Sequence, residues 1–426
     1  MSVGDTTETR VSGVTRGYAK YALWLLTVIN LVNYLTRNAI FALFDPVKRD
    51  LNLTDAHLGW LGSAYVLVFS MASIPAGVIG DLGSRRVVIA AGVALWSLGT
   101  SLSGLAQDFG WLLLARSLVG LGGAAAATAS AALVADYFPG KRRSTSMSIF
   151  MAGLAVGGVF GILLAGQLEH HYGWRAAFLA LGLPGFLLAG LVLRIKDPTR
   201  PATPAREGAE ALLAVFRELA GAGRRILSTR TLVAVFAGGA LISFGMNGLV
   251  GWAPTFISRE MELSPAKAAL LLGTYGLASG IAGTVAGGLV ADWLKNRVQG
   301  ARLITTAAGF FIGAPLLIWL LYIRDMHWFI PVFCGAFFFL TWYNGPLTAV
   351  IFDVTPRRIA TTVSGAYLMF IHLAGDAIAF PLVGVLSDRF GLEDAIIVLP
   401  IASLIGAAII LSAVKSLSGD TVRATM

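Results

Sequence analysis

The chain has 426 residues, of which 56% are apolar and only 13% charged, a balance that excludes a soluble globular or disordered protein. Its single cysteine, Cys334, excludes a disulfide framework and a cysteine metal site. The net charge of +9 does not point to nucleic acid, because the basic residues sit in short segments between long apolar stretches.

The first 20 residues are polar and carry both acids and bases, which reads as a cytosolic tail and not as a cleaved signal peptide. A membrane-crossing helix needs about 20 mostly apolar residues. Twelve stretches qualify, at 21–44, 58–80, 87–106, 110–135, 145–168, 174–194, 232–257, 266–290, 302–323, 328–350, 361–386 and 394–414. Helices are expected, because backbone groups in lipid must be satisfied within each segment. The longest polar interval is 196–230, with Pro198, Pro201 and Pro204 and then an amphipathic piece from Ala209 to Ala222. It divides the chain into six-span halves at 21–195 and 231–415, with a second tail at 416–426. With both termini inside, about 23 Lys and Arg fall on the cytosolic side and about 7 outside, the asymmetry that orients a multi-pass protein of the cell membrane.

The halves repeat one another. Asp81 in GDLGSRR matches Asp292 in ADWLKNR, 211 residues on. Arg49, Asp50 and LNLT match Arg259, Glu260 and MELS, and Tyr65 matches Tyr275, both at 210. DYFPGKRRSTS, from Asp136, matches DVTPRRIATTVS, from Asp353. The expectation is an all-α membrane protein of two pseudo-symmetric halves facing a central pathway.

Ionisable groups at membrane depth are expensive and point to function. Arg37 lies in the first span, Arg116 in the fourth, and Asp376 in the eleventh, with His372 one helical turn before it. Two guanidinium groups suit a phosphate or carboxylate headgroup. The lesser alternatives are Arg116 as only an interhelix fastening beside Gly120 and Gly122, Arg37 as an interfacial anchor, and Asp376 with His372 as a packing hydrogen bond. Asn30, Asn33 and Tyr34 in the first span, Asn247 in the seventh, and Tyr343 and Asn344 in the tenth could line a pathway or only pack helices. Phe41, Phe69, Phe244, Trp252 and Phe380 would make that pathway apolar, which fits an amphipathic substrate. Glycines at 120, 122, 123, 153, 157, 158, 161, 280, 283, 287 and 288 give small faces on which helices approach and slide.

GVIGDLGSRR (Gly77 to Arg86), RSLVGLGG (Arg116 to Gly123) and GWRAAF (Gly173 to Phe178) resemble the motifs of major facilitator superfamily transporters over nearly the whole chain. NYLTRN, ADYFPGKRRS, YNGPLTAVIFDVTP and IHLAGDAIAFPLVGVLSD resemble the spinster-like branch. The resemblance implies alternating access by rocking halves, a lysolipid or sphingosine-1-phosphate-like substrate, and a cytosolic latch around Asp81. Latch residues would be Asp81, Arg85, Arg86, Asp136 and Arg142, with Asp292, Asp353 and Arg357 in the second half. Leu82 and Ser84 depart from the latch pattern, which has a base after the acid and a glycine before the first arginine. Spinster-like carriers also have acids where this chain has Thr36 and Gly123. Neither residue can carry a proton, so a proton-coupled cycle would use Asp376 with His372, whose imidazole type titrates near neutrality. Facilitated diffusion is the other reading. Arg37, Arg116, Asn33, Tyr34, Thr36 and Asn344 are the expected substrate contacts.

No nucleotide loop, HExxH or GxSxG is present, so an enzyme is not expected. Glu169, His170 and His171 are adjacent and make a poor metal cage, and no cofactor is expected. A channel or receptor is the rival of another class, and a proton-coupled symporter of small organic anions such as sugar acids is the rival among carriers. The expected partners are a small amphipathic or anionic substrate, protons and membrane lipids, with no nucleic acid, for a monomeric protein.

Overall fold

The computed structural model describes residues 10–11, 14–138, 143–197, 208–295, 297–356 and 359–425. Strands β1 (Arg10–Val11) and β2 (Val14–Thr15) pair antiparallel and lead into α1 (Arg16–Ala42), whose first turn is capped by the Thr15 hydroxyl accepting from Tyr18 N at 3.4 Å. Then come α2 (Phe44–Leu51), α3 (Asp55–Leu82), α4 (Arg85–Ser103) and α5 (Phe109–Tyr137). Asp108 caps α5 by accepting from Trp111 N at 2.8 Å, which explains a charge at the edge of an apolar span. Next are α6 (Arg143–Leu193) and α7 (Gly208–Ser228), the latter covering the amphipathic piece of the linker. The remaining helices are α8 (Arg230–Glu260), α9 (Pro265–Leu271), α10 (Leu277–Lys295), α11 (Ala301–Leu321), α12 (Met326–Leu340), α13 (Asn344–Asp353), α14 (Ala360–Ile371), α15 (Ala377–Phe390), α16 (Leu392–Ile396), α17 (Val398–Ser412) and α18 (Val414–Thr425). Two π-helical turns, Leu272–Gly276 and His372–Asp376, join α9 to α10 and α14 to α15. A 3-10 turn, Thr341–Tyr343, joins α12 to α13.

Among the described residues, ten helices are long and apolar enough to cross a membrane. One of these, Thr145–Leu193, holds the fifth and sixth expected spans on either side of Gly173, where φ 80° and ψ 162° interrupt the helix. The first expected span, α1, is not among the ten. Asn30, Asn33, Arg37 and Asn38 dilute its apolar run, and Asn30 and Asn33 are buried against protein. Large apolar side chains remain exposed on the other helices, such as Met71, Leu187, Leu289 and Phe390, as a lipid-facing surface requires.

The chain forms two compact units, Met1–Leu51 with Leu67–Leu213 and Asn52–Val66 with Ala214–Met426. The first turns of α3 therefore count with the second unit, although α3 is one continuous helix. In the first unit α1 packs on the first half of α6, and Asn30 and Asn38 reach across to the Phe150 and Gly158 carbonyls at 2.9 and 3.3 Å. In the second unit α8 packs on α17, where a methyl on Gly238 would meet the Gly406 carbonyl and one on Gly406 the Gly238 carbonyl. The C-terminal segment is helical and docked: the buried Asp420 accepts from Thr231 N at 2.9 Å and so caps the start of α8.

The internal repeat extends to backbone conformation. Asn52 and Glu262, 210 residues apart, both adopt positive φ, at 50° and 51°. Gly173 and Gly391 adopt φ 80° and 87° with ψ 162° and 158°. The latter pair turns the chain between the fifth and sixth and the eleventh and twelfth expected spans, in a conformation that needs glycine.

Candidate functional site

The acid at membrane depth sits in a π turn. Asp376 is 0% exposed, and its Oδ2 lies 2.6 Å from His372 Nδ1. Its Oδ1 accepts from the Ser243 hydroxyl and from Asn247 Nδ2, at 3.0 Å for the latter. Asn247 Nδ2 also lies 3.2 Å from Ser243 Oγ. Ser243 and Asn247 are one turn apart on α8 and so face the same way. Close approach of the π turn to α8 depends on Gly375, where a methyl would meet the Ala240 carbonyl at 2.6 Å. His372 and Asp376 pair as their spacing implies, although the turn is π and not α; such turns recur at functional positions. Asn247 was legible as a polar residue inside a span. Ser243 was missed, and its one signal is its place four residues before Asn247.

Arg116 and Arg37, in the first unit, have different surroundings. Arg116 is 1% exposed and donates to the Thr36 and Arg37 carbonyls at 3.3 and 2.8 Å. A guanidinium in that position holds the backbone of α1, which is the fastening reading. Arg37 is half-buried, with its guanidinium 5.3 Å from the centre of the Tyr34 ring. Thr36 is 0% exposed, and its hydroxyl turns back to the Val32 and Asn33 carbonyls at 3.0 and 2.9 Å. Asn33 is 3% exposed and lines a narrow crevice with Asn30, Trp96 and Ser130. The structure thus brings Thr36, Arg37 and Arg116 together, with Arg37 and Tyr34 as the more exposed members. Asn344, in the second unit, is exposed at the start of α13 and donates to Thr284 Oγ1 at 3.1 Å.

Of the expected latch residues, Arg142 and Arg357 lie outside the described residues, as does the Asp81 side chain. Arg85, expected beside Asp81, forms an ion pair with Asp136. Arg86 donates to the Ile195 carbonyl at 3.3 Å, and Ser84 bonds Asp197 at 2.7 Å. Asp353 pairs with Arg302, which sequence reasoning missed. The signal was available: base and acid are 51 residues apart in both pairs, so the second is the repeat of the first. Asp292 is exposed near the end of α10.

A further charged cluster lies in the second unit. Asp55, at the start of α3, has a side chain 3% exposed and accepts from both terminal nitrogens of Arg259 at 2.7 and 2.8 Å. Ser387 donates to it at 2.6 Å. The Asp388 carboxylate caps α3 through Asp55 N and Ala56 N at 2.8 and 2.9 Å. α3 and α15 approach closely here: a methyl on Gly59 would overlap the Phe380 carbonyl, and one on Gly384 the Asp55 carbonyl. In the sequence Arg259 reads only as a repeat marker, and Ser387 and Asp388 only as the end of the IHLAGDAIAFPLVGVLSD motif.

The family model described as Major Facilitator Superfamily matches residues 26–375. Protein spinster of Drosophila melanogaster is 26% identical over 390 residues, which cover 89% of this chain and 63% of that protein. A sphingosine-1-phosphate transporter of Mus musculus is 26% identical over 386 residues, covering 85% of this chain and 69% of that protein. The crystal structure of a bacterial homologue of the human lysosomal transporter Spinster, inward-facing and unoccupied, matches with a TM-score of 0.85 at 23% identity, over 96% of this chain and 99% of that one. At that identity the match speaks to the fold. An all-α, multi-pass chain with an internal repeat, matched by that family model over most of its length, belongs to the major facilitator superfamily of membrane transporters.

Proposed function

We propose that this protein is a secondary transporter that moves an amphipathic anion, of the lysolipid or sphingosine-1-phosphate type, across the cell membrane by alternating access, with both termini in the cytosol. Proton coupling at His372 and Asp376 drives the cycle. The observation that carries the coupling is the fully buried carboxylate of Asp376, joined to a partly exposed imidazole inside a span. A buried acid with a histidine beside it can take up and release a proton, whereas Thr36 and Gly123 cannot. Arg37 is the headgroup contact, supported by its exposure and by Arg116, which fixes the backbone that carries it. Asp136 with Arg85 and Asp353 with Arg302 tie span ends on the cytosolic face and act as gating pairs.

Uptake by proteoliposomes under an imposed pH gradient tests the reading. Wild-type protein is expected to accumulate a lysophospholipid or sphingosine-1-phosphate, and Asp376→Asn to lose about tenfold or more of the gradient-driven part. Gradient-driven uptake of equal size in Asp376→Asn would remove that residue from coupling. Uptake of a sugar acid with no lysolipid uptake would move the substrate to the small organic anions. High-conductance current without saturation would replace the carrier by a channel. For the headgroup contact, a lysolipid that raises the wild-type melting temperature should lose most of that effect in Arg37→Ala. An undiminished shift removes Arg37 from the site.

A further inference from the structure

Two oxygens of one carboxylate meet two different environments at Asp376. Oδ1 faces α8 and receives the Ser243 hydroxyl and Asn247 Nδ2. Oδ2 faces its own turn and meets His372 Nδ1. Ser243 is 4% exposed and Asp376 0%, while the His372 side chain is 29% exposed. Among the described residues, Tyr343, from the 3-10 turn before α13, and Tyr367 of α14 are titratable groups within electrostatic reach of Asp376. Among the described residues no lysine or arginine is paired with Asp376. Hydrogen bonds therefore hold its two oxygens.

Donors aimed at a carboxylate favour its charged form. A hydroxyl and an amide N–H both serve Oδ1, and an imidazole nitrogen lies against Oδ2. We infer that Ser243 and Asn247 are positioning residues that keep Asp376 ionised, so that the transported proton rides on His372. This rests on the coupling reading above and assigns the proton within it. Each cycle adds one proton to the imidazole at Nε2, while its Nδ1–H donates to Asp376 throughout, and removes it again. Asp376 acts as a fixed counter-charge. Span seven, through Ser243 and Asn247, sets how tightly the pair holds its proton.

The sign of the effect follows. Without the two donors on Oδ1, the carboxylate draws more strongly on Nδ1–H, and the pair releases the Nε2 proton only at higher pH. Ser243→Ala with Asn247→Leu is therefore expected to move the pH midpoint of lysolipid uptake upward by about one unit. Ser243→Thr, which restores a hydroxyl, should bring the midpoint of Ser243→Ala back to the wild-type value. Melting curves verify that each variant is folded. Infrared difference spectra of the full-length protein between high and low pH provide a second readout. Wild type should show no protonated-carboxyl band that disappears in Asp376→Asn, and the double variant should show one. A wild-type band lost in Asp376→Asn would overturn the inference and leave proton coupling standing, with Asp376 as the carrier. An unmoved midpoint in the folded double variant would also overturn it. Absence of gradient-driven uptake in wild type would reject the coupling reading itself.

Discussion

Arg259→Met should lower the stability of the protein by about 3 kcal/mol. The reason lies in what stays behind. Asp55 is almost fully buried and Asp388 sits on the first two amides of α3. Arg259 meets Asp55 through two parallel hydrogen bonds. Removing one member of a buried pair costs about 3–5 kcal/mol, and the 26% exposure of the Arg259 side chain favours the lower end. Arg259→Lys keeps the charge and loses the fork, so it should fall between wild type and Arg259→Met. Asp55→Asn combined with Arg259→Met should recover much of the loss, because the buried negative charge that Arg259 faces is then removed together with it. Thermal unfolding in detergent, read on all four proteins, checks the series. Equal melting of Arg259→Met and wild type would show that the cluster contributes nothing.

Gly157→Leu should prevent the first unit from folding. Gly153, Gly157 and Gly161 form one stripe along α6, at a spacing of four, where it crosses α1. A methyl on Gly157 would overlap the Leu31 carbonyl, one on Gly161 the Leu35 carbonyl, and one on Gly153 would come within 2.7 Å of the Thr27 carbonyl. These neighbours are backbone and cannot rotate away. Overpacking a core typically costs about 1–3 kcal/mol, and a side chain driven into a helix backbone lies at or above the top of that range. Separating α1 from α6 would also break the bonds from Asn30 and Asn38 to α6. Gly190→Ala is the control, since a methyl there has nothing within 4 Å, and it should be neutral or slightly stabilising. The monodisperse fraction after size-exclusion chromatography separates the outcomes. Wild-type yield from Gly157→Leu would mean that the two helices are not held by backbone contact.

Hydropathy and charge placement made the spans legible, because lipid imposes length and composition on every helix that crosses it. The repeat was legible for the same reason, since the segments between spans keep their spacing. Asp376 and His372 stood out as ionisable groups in an apolar run, and the geometry brings them together. Other parts of the site left no trace in composition. Arg116 is bound by backbone carbonyls, which every residue possesses, so its partners at Thr36 and Arg37 have no sequence signature. The Thr36 hydroxyl bonds its own helix, a rotamer choice that packing makes. Ser243 is one small polar residue among many, and only its distance from Asp376 singles it out. The membership of 52–66 in the second unit depends on where α3 meets α15, which a linear pattern of apolar residues does not encode.

Gly173 and Gly391 share nearly the same dihedral angles, yet the residues after them differ in kind: Trp174 and Arg175 in one half, Leu392 and Glu393 in the other. Asp50 meets Arg175 directly, whereas Glu260 and Glu393, both acids, are bridged by Arg324. Asn52 and Glu262 likewise hold one conformation with unlike side chains. Exchanging a side chain alters one contact, while changing a turn redirects the helices on both sides of it. After a gene doubles, letters can therefore drift while turns stay fixed. The ancestry of this chain is written more durably in the places where its backbone goes left-handed than in the residues that now stand there.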